Sequence, residues 1–402
     1  MRILFVTWDG PQVSYVESLF IPIFRGLAEH GIGTDILQFR WGTKAQEEQV
    51  ARLCAEAGIG YRAVMIRQGL RGLAPFATAL LGARHVRRCV REFESDFIMP
   101  RSILASIPVL RAGGSKLRPM LLDADGLALD ERVEFAGLSP NSFTYRLLRD
   151  VEAQSVRDAG AVIVRSESAK GVLVSRAGPP VTEDRFVTVT NGRDERLFQP
   201  FDRAAREAVR AELGIAPAAP LLVYAGSVGP QYRFDQLAGL AVALLDRRSD
   251  SRLLVLTGSP NAAQAALAPY ERLTGVTTIM RAPPEEVPRY LAAADIGAAF
   301  RTASFSTRAV APVKLSECLL CGVPVVGTAS IGDTEAAVEA GVFFSDEAGM
   351  AAAADWAVST VLPQREAFRD RARQVGLDRF SLSRSVADYR AAIALLYKMM
   401  PS

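Results

Sequence analysis

The chain has 402 residues, of which 49% are hydrophobic, and this length suits two domains of about 200 residues each. Its formal net charge of +3 is only mildly basic, which argues against nucleic acid as the main partner. The balance is compatible with an anionic small substrate or an anionic lipid surface.

The cysteines Cys54, Cys89, Cys318 and Cys321 do not form a pattern typical of a zinc site, because there is no second C-x-x-C pair and only two histidines. We expect all four to be reduced core residues in a cytosolic protein. Residues 1–6 predict a strand rather than a signal peptide. The apolar runs are shorter than the roughly 20 residues that span a bilayer.

The first half alternates short apolar strands with amphipathic helices, which indicates a parallel, doubly wound sheet. Strands are predicted at 3–7, 34–39 and 61–66, and helices at 14–30 and 44–57. Ligands of such sheets bind at the carboxyl ends of the strands. The loop 8–12 is therefore a site candidate, although a plain strand-to-helix turn explains it equally well.

Residues 67–94 combine apolar residues with six arginines: Arg67, Arg71, Arg84, Arg87, Arg88 and Arg91. A basic amphipathic helix of this kind could lie in the headgroup region of an anionic membrane. A helix packed on the sheet with a solvated arginine face is the simpler explanation.

The alternation of strands and helices continues through the rest of the first half and through the second half. Further strands are predicted at 96–99, 119–123, 161–165, 186–190, 220–225, 252–257, 277–280, 296–300 and 324–327. The polar, turn-rich segment 124–142 is predicted to be a loop over the strand ends. Segment 191–200 is predicted to be a hinge, because Asn191-Gly192 marks a tight turn and a charged run follows.

Segment 313–321 is predicted to be a short helix, with Gly322 as its left-handed stop and Pro324 just beyond. A helix N-terminus after a loop binds anions through its free N–H groups and dipole. Lys314 adds a positive charge, and Glu317, one turn further, could accept two sugar hydroxyls. Together they suit a nucleotide-sugar, while an ordinary loop–helix–strand unit explains the spacing equally well.

Other motifs narrow the chemistry. Neither a Gly-x-Gly-x-x-Gly fingerprint nor a Walker A sequence is present, which argues against hydride transfer and P-loop hydrolysis. Asp123-Ala-Asp125 matches the short D-x-D pattern of divalent-metal sites, but Asp125 could instead hydrogen-bond an acceptor. His30 and His85 do not lie at strand ends, so a Ser-His-Asp arrangement has no suitable histidine.

Two segments together resemble a known family. Residues 190–200, TNGRDERLFQP, resemble the hinge segment of the retaining GT-B glycosyltransferases of family 4. Residues 312–326, PVKLSECLLCGVPVV, resemble the donor-binding segment of the same family. Segments 161–167, 224–229 and 285–296 are similar to further motifs of the family in the same order.

The resemblance implies an α/β protein of the GT-B fold, with two Rossmann-like parallel-sheet domains facing across a cleft. Residues 1–190 would form the acceptor domain, 191–379 the nucleotide-sugar donor domain, and 380–402 a last helix crossing back to the first domain. The implied enzyme is a hexosyltransferase-type, metal-independent glycosyltransferase that needs no cofactor. It would transfer a UDP- or GDP-linked sugar, with retention, to a polysaccharide or lipid-linked glycan.

The alternatives are a nucleotide-sugar epimerase of the same fold and a degenerate subunit that binds nucleotide-sugar without turnover. Ala309 suggests the second, because many members have a glutamate there. The expected location is cytoplasmic, with a peripheral place at the inner face of the membrane as an option.

By resemblance, the donor would be bound by residues of both domains: Gly10, Gly226, Ser227, Gly229, Met280, Arg281, Ala282, Arg308, Val313, Lys314, Leu315 and Glu317. The catalytic residues would be Lys314, Arg233 and Asp9, and the acceptor would meet Arg101 and Asp125. Many members have Arg and Lys where this chain has Ser227 and Tyr232. The missing charge could come from Arg301, Arg308, Lys314 and Arg233.

Overall fold

The structure is a computed structural model that describes residues 1–10, 15–66, 81–334, 342–344 and 349–398. The chain divides into two compact units. The N-terminal unit comprises Met1–Thr190 with Ser385–Ser402, and the C-terminal unit comprises Asn191–Arg384. The first boundary lies at the start of the 191–200 segment.

The N-terminal unit is built on parallel strands: β1 (Arg2–Asp9), β2 (Gly33–Arg40), β3 (Tyr61–Met65), β4 (Phe97–Pro100), β5 (Leu121–Asp123), β6 (Ala161–Val164) and β7 (Phe186–Thr188). Four form a sheet in the order β3-β2-β1-β4, and three follow as β5-β6-β7. Parallel bridges Ile98–Met120 and Arg101–Asp123 join β4 to β5. The seven strands therefore form one layer whose carboxyl ends share an edge.

Helices connect these strands: α1 (Ile21–Ala28), α2 (Lys44–Glu56), α3 (Ala83–Glu92), α4 (Ser102–Ala112), α5 (Ala128–Phe135), α6 (Phe143–Asp158) and α7 (Glu167–Ala177). A π-helical turn, Val16–Phe20, precedes α1. Because parallel sheets are covered on both faces, their strands are continuously apolar. Residues 3–6 of β1 are accordingly at most 1% exposed.

The C-terminal unit contains a second parallel sheet: β8 (Leu221–Ala225), β9 (Arg252–Leu256), β10 (Thr277–Met280), β11 (Ile296–Ala299), β12 (Val325–Gly327) and β13 (Val342–Phe344). Its order is β10-β9-β8-β11-β12-β13. Its helices are α8 (Arg203–Glu212), α9 (Phe234–Arg247), α10 (Pro260–Leu267), α11 (Val287–Ala292), α12 (Val313–Leu320), α13 (Met350–Trp356) and α14 (Arg365–Phe380). The doubly wound sheet predicted from the sequence is thus present in each unit.

Helix α12 confirms the predicted helix of segment 313–321, and Gly322 follows it with a φ of 71°. It packs against α14 at Gly376 with no side chain between the backbones. A Cβ placed on Gly376 would lie 2.8 Å from the Leu320 nitrogen and 2.9 Å from the Leu319 carbonyl carbon. The two helices are therefore in direct backbone contact.

The last helix, α15 (Leu382–Lys398), packs on the N-terminal unit. Glycines allow the close approach: a Cβ on Gly26 would lie 2.5 Å from Val386, and one on Gly160 would lie 2.5 Å from Leu396. Tyr389, in the middle of α15, is buried.

The prediction of a loop at 124–142 is wrong in part, because residues 128–135 form α5. Leu129 is 1% exposed and anchors the helix in the core. Asp130 is held by ion pairs with Arg149 at 3.1 Å and Arg176 at 2.9 Å. Long-range pairing thus stabilises a segment whose local composition favours turns.

The arginine-rich segment 67–94 is described from residue 81 onward, and residues 67–80 lie outside the described part. Helix α3 buries Val86, Cys89 and Val90 and exposes Arg84, Arg87, Arg88 and Arg91. Throughout the described residues, none of the helices has the length and apolar character needed to cross a bilayer. The four cysteines are buried and unbonded to one another, as predicted.

Candidate functional site

Most of the predicted donor residues lie at the carboxyl edge of the C-terminal sheet. Backbone hydrogen bonds join the loops there: Gly226 N–H donates to Leu256 O at 2.8 Å, and Thr257 N–H donates to Met280 O at 3.0 Å. The residues in loops or turns after strand ends are Gly226, Ser227, Gly229, Arg281, Ala282 and Arg308, and Met280 ends β10. Val313, Lys314, Leu315 and Glu317 lie on α12.

The side chain of Lys314 lies between this loop and two tyrosines. Its Nζ is 3.6 Å from the ring centroid of Tyr232 and 5.0 Å from that of Tyr224. A Cβ on Gly226 would lie 2.3 Å from Lys314 Cε and would displace the lysine side chain, and the φ of 144° at this position also favours glycine. The guanidinium of Arg301 is 5.8 Å from the same Tyr232 ring. Tyr232, which replaces a cation of the resembled family, therefore has two cations beside it.

Burial and the neighbouring Arg301 lower the pKa of Lys314 to about 7. In the unfolded chain this group keeps an ordinary pKa of 10.5. Between these values the unfolded chain binds more protons, so Lys314 makes the free energy of unfolding rise with pH from about 7 to 10.5. A diphosphate beside the amine would favour its protonated form.

We expect Lys314→Met to stabilise the ligand-free protein more at pH 6.5 than at pH 9.5, because it removes the cost of burying the ammonium. Calorimetric Tm values at both pH values test this. The exposed Lys44→Met variant serves as control and should shift Tm equally at the two pH values. An equal shift for Lys314→Met would contradict the burial of its charge.

Glu317 is paired with an arginine from the predicted hinge. Arg193 Nε donates to Glu317 Oε1 at 2.9 Å, and Arg193 Nη2 lies 2.7 Å from the same oxygen. Arg193 also lies 5.3 Å from the Phe198 ring centroid. Oε2 has no such bond within the described residues. The sequence places both residues in family motifs, but nothing local in it indicates that the two motifs meet.

The other predicted cations differ in their surroundings. Arg233 precedes α9 and is held by Asp235, with Nε–Oδ1 and Nη2–Oδ2 distances of 2.9 and 2.6 Å. Arg308 is exposed on the 3₁₀ turn Ser306–Ala309, and Ala309 is fully buried. Contact of Arg233 or Arg308 with a diphosphate stays a prediction.

Asp9, Arg101 and Asp125 meet at the carboxyl edge of the N-terminal sheet. Arg101 Nη2 lies 2.6 Å from Asp125 Oδ2, and its Nη1 lies 3.8 Å from Asp9 Oδ1. The Arg101 guanidinium also stacks 4.6 Å from the Tyr15 ring centroid. Gly10, beside Asp9, packs on Trp41, since a Cβ there would clash with the indole at 2.1 Å.

The two aspartates of the D-x-D pattern, Asp123 and Asp125, interact with other side chains of the protein. Asp123 is completely buried and accepts bonds from Arg165 Nη2, at 2.8 Å to Oδ1 and 2.6 Å to Oδ2. Tyr389 OH donates to Asp123 Oδ2 at 2.9 Å. Asp125 lies 3.6 Å from Arg165 Nε. Metal binding at Asp123 would require breaking these bonds, and the described residues contain no cluster of three or more potential metal ligands.

A small cavity of about 90 Å³ opens beside Arg101, lined among others by Trp8, Ser102, Asp125 and Arg132. Ser102 and Asp125 have φ angles of 64° and 59°, a left-handed conformation that is rare outside glycine and clusters at functional sites. Arg132 is a residue that sequence reasoning missed, because it belongs to the segment predicted as loop.

The sequence is similar to one protein family and to several characterised proteins. Residues 219–360 match the family model described as glycosyl transferases group 1. The D-inositol 3-phosphate glycosyltransferase of Nocardia farcinica is 31% identical over 239 residues, 56% of this chain and 49% of that protein. The protein of the same name from Segniliparus rotundus is 29% identical over 257 residues, 60% of this chain and 54% of that protein. The chain spans about half the length of these curated relatives.

Solved structures are similar over nearly the whole chain. Anabaena Alr3699/HepE in complex with UDP and glucose has a TM-score of 0.72 at 16% identity and covers 98% of this chain and 99% of its own. Sucrose-phosphate synthase from Thermosynechococcus elongatus has a TM-score of 0.67 at 16% identity, with 100% of both chains covered. UDP-GlcNAc 2-epimerase from Neisseria meningitidis, bound to UDP-GlcNAc, has 0.59 at 12% identity, covering 99% and 100%.

Two parallel-sheet units, the second with basic and acidic side chains on a helix at its carboxyl edge, define a protein of the GT-B fold. The structural similarity confirms this fold, which the sequence predicted. Within the fold, residues 219–360 match the model of the glycosyl transferases of group 1, in agreement with the resemblance seen in the sequence.

Proposed function

We propose that the chain is a retaining glycosyltransferase that moves a sugar from a UDP- or GDP-linked donor to a polysaccharide or lipid-linked glycan. The observation that supports it most directly is the placement of Lys314 and Glu317 on α12, with Lys314 in contact with Gly226. All three residues fall within the matched segment 219–360. UDP is the first nucleotide to test, because similar structures contain it.

In this proposal, Lys314 stabilises the leaving group. Breaking the bond between the anomeric carbon and the diphosphate gives an oxocarbenium-like sugar and a nucleoside diphosphate. Preorganised cations and N–H groups aimed at the developing negative charge are usually the largest catalytic contribution. Lys314 and the first N–H groups of α12 would stabilise this negative charge. Arg301, which also lies beside the Tyr232 ring, would contribute a second cation. Arg233 and Arg308 would add to it, and neither a metal nor a cofactor would be needed.

The remaining contacts follow from the same assignment. Glu317 would hold the ribose, and Met280, Arg281 and Ala282 would flank the base. Ser227 and Gly229 would face the phosphates. Asp9 and Gly10 would meet the sugar, and Arg101 and Asp125 the acceptor.

The test is acceptor-dependent release of nucleoside diphosphate. The full chain is incubated with UDP-glucose or another nucleotide-sugar, with and without an oligosaccharide or lipid-linked glycan, and free UDP or GDP is measured. A transferase releases the diphosphate in proportion to the acceptor consumed, and NMR of the product shows whether the anomeric configuration is retained. Binding without release for every donor and acceptor tested would favour a non-catalytic subunit.

An epimerase remains the second candidate, because a UDP-GlcNAc 2-epimerase has a similar fold. The match to group 1 glycosyl transferases argues for transfer instead. Interconversion of a UDP-sugar in the absence of any acceptor would select the epimerase.

We expect Glu317→Gln to lower nucleotide-sugar affinity by roughly 10- to 100-fold, the value of one or two hydrogen bonds to a charged group. The Kd of the nucleoside diphosphate, measured by calorimetry, should rise by this factor. Glu207→Gln, an exposed glutamate paired with Arg203 on α8, is the matched control. A diphosphate affinity unchanged by Glu317→Gln would remove the ribose assignment.

We also propose a peripheral location at the cytoplasmic face of an anionic membrane, through the arginines of the 67–91 segment. The described part of that surface is α3, whose exposed face contains Arg84, Arg87, Arg88 and Arg91. Arg87 donates to the Ala112 and Arg111 carbonyls, which fixes it against the end of α4. Arg84 and Arg91 can therefore be changed without removing this contact.

We expect Arg84→Glu/Arg91→Glu to weaken binding to vesicles containing phosphatidylserine by about 10-fold or more, since each surface cation contributes about 1 kcal/mol. Cosedimentation measures it. The double variant Arg25→Glu/Arg52→Glu makes the same charge change on α1 and α2. Equal loss in both variants would indicate a general charge effect, and no binding by the unaltered chain would refute the membrane location.

A further inference from the structure

A cluster of arginines lies at the amino edge of the C-terminal sheet, opposite the candidate donor residues. Its centre is Asp295, which directly precedes β11 and accepts the Leu221 N–H at 2.9 Å. Leu221 begins β8, whereas Gly226 and Arg301 follow the other ends of these strands. The cluster is therefore separate from the proposed donor site within the same unit.

Three arginines surround this single carboxylate. Arg206 Nη2 lies 2.5 Å from Asp295 Oδ1, Arg365 Nε lies 2.7 Å from the same oxygen, and Arg210 Nη1 lies 3.3 Å from Oδ2. Arg206 and Arg210 come from α8, and Arg365 is the first residue of α14. Two guanidinium groups thus converge on one carboxylate oxygen.

The charges of the cluster do not balance. A fourth arginine, Arg369, donates to the Phe201 carbonyl, and its carboxylate contact among the described ion pairs is Glu366, at 3.8 Å and largely exposed. Buried charges are costly unless paired. Burial lowers the pKa of Arg206 to about 10 despite Asp295, and Arg210 and Arg365 add to the effect.

The cluster also has donors without acceptors. Nε of Arg206 and Nε of Arg210 are buried and have no hydrogen-bond partner among the described residues. The Arg206 side chain is 8% exposed, and that of Arg365 is 27% exposed, so the cluster reaches solvent at Arg365. The terminal nitrogens of Arg365 have no hydrogen bond to the described protein atoms.

We propose that a phosphate-type oxyanion binds between Arg206 and Arg365 at the amino edge of the C-terminal sheet. Guanidinium groups match such anions with paired hydrogen bonds. The anion compensates the excess positive charge and ties α8 to α14.

The test is the Tm of the full chain during titration with inorganic phosphate, with sodium chloride at matched ionic strength as reference. We expect phosphate at about ten times its Kd to raise Tm by roughly 3 °C beyond chloride. Arg365→Gln should lose most of this shift. Arg203→Gln, which changes an exposed arginine of α8 paired with Glu207, should keep it.

Lys314→Met separates this site from the donor site, where phosphate could also bind. The shift should persist in Lys314→Met, and Arg365→Gln should still bind UDP. A shift kept by Arg365→Gln, or lost in Lys314→Met, or no larger than that of chloride, would each overturn the proposal. Arg206→Gln is a second variant of the same site; if it unfolds, Arg365→Gln alone decides.

Discussion

Replacing Lys314 by methionine should reduce the transfer rate by roughly 100- to 1,000-fold, the loss typical when one preorganised donor to a developing negative charge is removed. The ammonium lies between Tyr232, Tyr224 and the Gly226 loop, where little water would screen its charge. Methionine keeps much of the side chain's apolar volume, so the loop should hold its shape. Steady-state kinetics with saturating acceptor measure the effect on kcat.

The exposed Lys44→Met variant makes the same chemical change on α2 and should transfer at the unaltered rate. Circular dichroism and the Tm of the Lys314→Met protein establish that it is folded. A folded Lys314→Met variant with an unchanged kcat would remove Lys314 from the catalytic assignment and leave Arg301 and Arg233 as the cations to test.

Replacing Arg165 by methionine should destabilise the N-terminal unit by about 3–5 kcal/mol, because it strands a buried carboxylate. Arg165 and Asp123 side chains are 2% and 0% exposed, so solvent cannot compensate the lost partner. Tyr389 OH would remain as one donor to Asp123. Urea unfolding followed by tryptophan fluorescence measures the change in the free energy of unfolding.

The double variant Arg165→Met/Asp123→Leu separates a stranded charge from lost packing. Removing both charges should recover at least half of the stability, since paired buried ions can be replaced by apolar groups at little cost. A double variant as unstable as Arg165→Met alone would show that packing around Arg165, rather than its charge, stabilises the site.

Much of the fold was predictable because its signals are local. The apolar runs of β1 and β8 indicate strands buried on both faces, and Gly322 ends α12 where a left-handed residue is needed. The motifs at 190–200 and 312–326 resemble those of one family, and the match over 219–360 includes the second of them.

The side-chain pairs at the candidate sites were not predictable, since they join residues far apart in the chain. Arg193 and Glu317 are 124 positions apart, and Tyr389 and Asp123 are 266 apart. Periodicity and turn signals describe neighbours within a few residues and contain no information on such pairs. For the same reason the sequence suggested a metal pattern at Asp123, whereas folding supplies Arg165 as its partner.

The absence of a side chain at Gly376 limits which substitutions the C-terminal unit can accept at this position. The α14 backbone packs directly on the end of α12, the helix that contains Lys314 and Glu317. The position of α12 is therefore determined in part by Gly376, a residue with no functional side chain. Even a methyl group there would push α12 outward. The geometry of the proposed donor site therefore depends on a remote glycine as well as on its own charged contacts.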